Sequence, residues 1–126
     1  MDFHDSLIFS KSEKYSLTSL GYSVPNDETN IIFKAYQAIK PTKVNNEFSI
    51  TLEKNIPIGS GLGGGSSNAA TTLKTLNKLW NLNYSNKKLL NFARKIGADV
   101  SFFINGGIQK VEGIGDILSP IKTTAF

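Results

Sequence analysis

The sequence predicts a domain of the α+β class. Two kinds of pattern carry that expectation. Apolar and polar residues alternate strictly over residues 48–52, and other stretches repeat their apolar residues at helical spacing. Strict alternation marks a strand with one covered face, which suits an antiparallel sheet better than a parallel sheet buried on both sides. At 126 residues the chain is one domain or part of one.

Taken in order, residues 5–10 and 14–24 read as short strands, the second with partial period-two patterning at Tyr15, Leu17, Leu20 and Tyr22. Pro25-Asn26-Asp27 is a turn and a helix start, and Asp27 and Glu28 suit the positive end of a helix. Ile32, Ala35, Tyr36 and Ile39 fall at i, i+3, i+4 and i+7, and Pro41 stops that helix. Phe48, Ile50 and Leu52 then alternate with Ser49, Thr51 and Glu53 in a strand that ends at Asn55-Ile56-Pro57. Beyond a glycine-rich segment, Ala69, Leu73, Leu76 and Trp80 make one face of an amphipathic helix. Asn68, Thr72, Lys74, Thr75 and Lys78 make the other. Ser85 caps a further helix with the stripe Leu89, Phe92, Ala93 and Ile96, and Gly97 sits where a helix-ending glycine belongs. Residues 100–104 read as strand or extended chain. Gly106-Gly107 turns the chain, and two more strands are expected at 108–111 and 116–118.

Composition excludes several kinds of chemistry. There is no cysteine, so disulfides, thiolate metal sites and thiol nucleophiles are absent, and the single His4 cannot build a histidine metal cluster. No apolar run approaches the roughly 18 residues of a membrane span. The acidic, polar start Met1–Asp5 is not a secretory signal, and a cytoplasmic location fits.

Net charge is +4, unevenly spread. From Lys54 to Ala98 there are seven basic and no acidic residues, while the remainder carries ten acidic against seven basic. This central positive segment suits an anionic ligand such as a nucleotide, a phosphate metabolite or nucleic acid. The plainer reading, lysines solvated on helix faces, stands beside it.

Within that segment lies Pro57-Ile58-Gly59-Ser60-Gly61-Leu62-Gly63-Gly64-Gly65-Ser66-Ser67-Asn68, between a strand and a helix. Glycine lets backbone N–H groups converge on a ligand without obstruction by Cβ. The helix N-terminus adds unpaired donors and partial positive charge, so the pair makes a phosphate cradle. Ser66 and Ser67 can cap the helix or reach a phosphate or a magnesium ion. A flexible glycine linker is the alternative, but a linker should not run straight into so regular a helix. The segment is not a Walker A loop, because no Gly-Lys-Ser/Thr closes it. It is not a dinucleotide fingerprint either, because no acidic residue follows before Asp99. The V-A-I-K and H-R-D segments of protein kinases are also missing. Asp99, the first acid after Glu53, has two readings: an ordinary turn aspartate, or the carboxylate that receives a hydroxyl proton in phosphoryl transfer.

The stretch from Pro57 to Ala70 resembles the GHMP kinase superfamily. Further matching stretches are Asn30–Tyr36, Leu76-Asn-Lys-Leu-Trp80, Gly97-Ala-Asp-Val-Ser-Phe-Phe103, and Gly106-Gly107 followed by Gly113–Gly115. Their combination is similar to the branch acting on a cytidine-diphosphate-linked methylerythritol in isoprenoid-precursor synthesis. The resemblance implies a two-layer α+β fold like domain 2 of ribosomal protein S5, and ATP with Mg2+ as the phosphoryl donor. It implies that residues 57–67 hold the ATP phosphates, with Lys54 and Asn30 near the nucleotide. It also implies Asp99 as catalytic base; of the two loop serines, Ser67 is the expected contact to the magnesium ion. Family members are about twice as long and begin with an Ala-Lys-x-Asn strand and a Gly-Tyr-His segment; neither is present, and Ser101 stands where proline is usual. The expectation is therefore a partial N-terminal domain over residues 1–126, inactive alone, with apolar surface that invites self-association. Two other readings remain: a mevalonate- or homoserine-type kinase of the same superfamily, and a non-catalytic nucleotide- or nucleic-acid-binding module. A single arginine, and aromatics placed on apolar stripes, weigh against nucleic acid. No membrane partner is expected.

Overall fold

Alternation in two segments builds the centre of the sheet. The computed structural model describes residues 5–21, 26–54, 64–106, 110–113 and 121–125. Strand β1 (Asp5–Ser12) pairs antiparallel with β3 (Glu47–Lys54), so that Leu7 faces Leu52 and Phe9 faces Ile50. All four are buried, whereas Ile8, Ser10, Ser49 and Thr51 on the other face are half-exposed. One covered face and one open face make a two-layer domain. β2 (Ser16–Gly21) joins β3 in parallel. On the other side β5 (Ile121–Ala125) pairs antiparallel with β1 and with β4 (Lys110–Gly113), which gives the order β2-β3-β1-β5-β4. The sheet is thus mixed: β3 is antiparallel on one side, as its alternation predicts, and parallel on the other.

Helix α1 (Asn26–Ile39) buries Ile32, Ala35, Tyr36 and Ile39, the predicted stripe. Its end is continued by Lys40 N–H to the Tyr36 carbonyl at 3.1 Å, just before Pro41. Helix α2 (Gly64–Leu79) is central, touching α1, α3, α4, β1 and β5. It buries Ala69, Ala70, Leu73 and Leu76, and each fully buried leucine contributes about 1.5–3 kcal/mol. The chain leaves α2 through Asn81 and Asn83, both at positive φ, which asparagine adopts more readily than most residues. Asn77 fastens the return with two bonds to the backbone of Tyr84, at 3.0 and 3.1 Å. Helix α3 (Asn86–Ile96) follows, capped by Ser85, whose hydroxyl accepts from Lys88 N–H.

One expectation is corrected. Residues 100–104 are not a strand but part of helix α4 (Ala98–Gly106). The apolar run hides a helical period: Val100 and Ile104, four apart, are buried, while Phe102 between them is 75% exposed. Gly97 ends α3 as its position suggests, with its N–H on the Ala93 carbonyl at 3.0 Å and an extended backbone at φ 179° and ψ 151°. Of the strand expected at 108–111, residues 110 and 111 lie in β4 (Lys110–Gly113), and 108 and 109 lie outside the described residues. The strand at 116–118 lies outside the described residues, and the next observed strand, β5, went unanticipated.

Candidate functional site

Helix α2 opens with Gly64, Gly65, Ser66 and Ser67, a first turn whose leading N–H groups point out along the helix axis. No acidic residue occupies this first turn, so its positive end is not neutralised from within the helix. Ser66 is half-buried and Ser67 is buried at 2% exposure. Pro57, Ile58, Gly59, Ser60, Gly61, Leu62 and Gly63, the body of the glycine-rich loop, lie outside the described residues. Lys54 is the last residue of β3, the strand that feeds the loop. Asn30 is exposed on α1, the helix packed against α2.

Asp99 is the second residue of α4, exposed, in the first turn where an acid suits the dipole. Among the described residues it makes no ion pair. α4 packs on α2 and α3, so Asp99 and the first turn of α2 sit in one helical layer. Of the basic segment, Lys78, Lys87, Lys88, Arg94 and Lys95 are exposed, the solvated-face reading. Lys88 lies over the Tyr84 ring at 4.5 Å. Lys74 is half-buried, and desolvation, helped by neighbouring Lys78, lowers its pKa.

One pair escaped the sequence reading. Asp5 and Asn68 are both 0% exposed, and Asn68 Nδ2 donates to Asp5 Oδ2 at 2.9 Å. Thr72 Oγ1 donates to the Asn68 carbonyl at 2.8 Å, so Asn68 is held at both ends. The signal that could have found it is a charged residue at the head of the apolar segment Leu7–Phe9.

Comparison with known proteins decides the family. Residues 30–107 match the profile described as "GHMP kinases N terminal domain". The chain belongs to the GHMP kinases. Within them it is 44% identical over 119 residues to "4-diphosphocytidyl-2-C-methyl-D-erythritol kinase" of Persephonella marina, covering 94% of this chain and 43% of that protein. It is 44% identical over 124 residues to the protein of the same name from Thermodesulfovibrio yellowstonii, covering 97% and 42%. A crystal structure of "4-(cytidine 5'-diphospho)-2C-methyl-D-erythritol kinase" superposes with a TM-score of 0.58 at 34% identity, over 92% of this chain and 41% of that one. This GHMP kinase chain therefore spans less than half the length of the relatives it matches. Among its described residues, no helix is long and apolar enough to cross a membrane.

Proposed function

We propose that the chain supplies the nucleotide-binding part of a kinase that moves the γ-phosphoryl group of ATP to a hydroxyl of 4-diphosphocytidyl-2-C-methyl-D-erythritol. The observation that carries this reading is 44% identity, over 94% of the chain, to a kinase named for that acceptor. The first turn of α2, which presents backbone N–H groups at the positive end of the helix and holds no acid, supports it chemically.

In this reading the N–H groups of residues 64–67, with the loop from Pro57 to Gly63, hold the phosphates of ATP. Lys54 and Asn30 lie toward the nucleotide. Asp99 takes the proton of the acceptor hydroxyl. The new bond joins that oxygen to the γ-phosphorus, the bond to the β-phosphate oxygen breaks, and ADP leaves. Among the described residues there is no group of three or more His, Cys, Asp or Glu that could hold a metal ion. That suits magnesium brought in by the nucleotide, which needs few protein ligands. The hydroxyl of Ser67, an oxygen donor in the first turn of α2, is the residue that would meet it. When bound, the ion supplies positive charge to the phosphate oxygens. The enzyme so completed works in the cytoplasm.

The test is equilibrium binding of ATP with magnesium to the 126-residue chain. Saturable binding, displaced by ADP and not by duplex DNA, is expected. A folded chain without saturable binding, or one that prefers DNA with steep salt dependence, would overturn the reading.

A further inference from the structure

Asp5 opens β1 and Asn68 lies one turn into α2, and both are completely buried. The amide of Asn68 is oriented with Nδ2 on Asp5 Oδ2 at 2.9 Å and Oδ1 turned away. Among the described residues, Oδ1 is buried with no hydrogen-bond partner.

Stability alone does not favour this arrangement. A buried polar pair with an orphaned acceptor is commonly matched or bettered by apolar residues of the same size. What the pair does provide is geometry. It ties the sheet, at the first residue of β1, to the turn of α2 directly after Gly64–Ser67, and the Thr72 hydroxyl fixes the Asn68 carbonyl from the other side. The rotation of α2 about its axis, and so the direction of its first N–H groups, is set there. Such directions matter, because a misplacement of about 1 Å at a site that orients a substrate can cost roughly a hundredfold.

We propose that Asp5 and Asn68 are positioning residues of the phosphate site, holding the first turn of α2 in the orientation that nucleotide phosphates require. This rests on the phosphate-binding reading above.

The test uses Asp5→Ala, Asn68→Ala and Asp5→Asn in the 126-residue chain. Two quantities are read: the dissociation constant for ATP with magnesium, and hydrogen exchange of amides 68–70 against those of α3. Each alanine variant should weaken nucleotide binding roughly tenfold and speed exchange at 68–70, with α3 unchanged. Asp5→Asn keeps an acceptor for Asn68 Nδ2, so it should bind nucleotide within roughly threefold of the parent, a rescue that a role in charge alone would not give. Unchanged affinity in both alanine variants overturns the inference, as does exchange that rises equally in α3. If the alanine variants do not fold, Asp5→Asn decides: a shift of roughly tenfold in either direction means that the charge, not the geometry, matters. A folded parent that ignores nucleotide overturns the phosphate reading itself, and the positioning role with it. A parent that binds while its variants bind equally well overturns only the positioning role.

Discussion

Tyr36→Phe removes one oxygen and leaves the ring in place. In the parent, that hydroxyl accepts from Phe48 N–H and donates to Glu47 Oε1, both at 2.9 Å, inside a residue only 2% exposed. Losing it strands a buried backbone donor, which costs about 1–3 kcal/mol. Glu47 loses a second bond but keeps Lys40 Nζ at 2.8 Å, and its side chain is 18% exposed, so its share is about 1 kcal/mol. The variant should therefore lose about 2–4 kcal/mol, a large part of a domain's usual 5–15 kcal/mol. Urea unfolding followed by fluorescence reads it directly, since the Trp80 ring lies edge-on to Tyr36 at 5.3 Å. The acid limb adds a second reading. Burial pushes the Glu47 carboxyl up, but hydrogen bonds from Lys40 and Tyr36 and the charge of Lys40 outweigh it and hold the group below its ordinary 4.5. A depressed carboxyl adds stability above its unfolded pKa, and that stability is lost as pH falls through the folded value. The parent should weaken below about pH 4.5, and Tyr36→Phe should weaken less steeply there. A loss under about 1 kcal/mol at neutral pH, with an unchanged acid limb, would refute the assignment of this network to the junction of α1 and β3.

Three further outcomes are expected. Gly97→Ala should leave thermal stability unchanged or raise it by about 0.4–1 kcal/mol, because among the described residues the new Cβ meets only Val100 Cγ2 at 3.7 Å and the backbone is extended; a loss above about 1 kcal/mol would contradict that extended backbone. Phe102→Ser should change unfolding free energy by no more than about 0.5 kcal/mol, since the ring is 75% exposed, whereas a strand at 100–104 would bury it beside Val100 and Ile104. With this chain replacing the matching stretch of the Persephonella marina kinase, Asp99→Asn should lower kcat by about 10²–10⁴ and leave the KM for ATP within about threefold. Equal turnover would remove Asp99 from the chemistry.

Where one period dominates, the sequence was legible. Ile32, Ala35, Tyr36 and Ile39 and the alternation at Phe48, Ile50 and Leu52 are buried as their spacing predicts. It was not legible at α4, where Val100, Phe102, Phe103 and Ile104 are all apolar and the period cannot be read from hydrophobicity; the fold, not composition, leaves Phe102 outside. The partners of a strand are also hidden from local pattern: nothing within Ile121–Ala125 says that it lies between β1 and β4. For the site, glycine content before an amphipathic helix pointed to the first turn of α2. Asp5 and Asn68 meet across 63 positions of sequence, and such a pair becomes visible only once β1 and α2 are packed.

The central claim is that α2 opens on a phosphate site. Amide NMR during titration of the chain with ATP and magnesium tests it most directly. Saturable shifts concentrated at Gly64–Asn68 are expected, with the amides of α3 still. A dispersed spectrum in which those amides do not move, or in which shifts spread along the exposed lysines of α2 and α3, would contradict it.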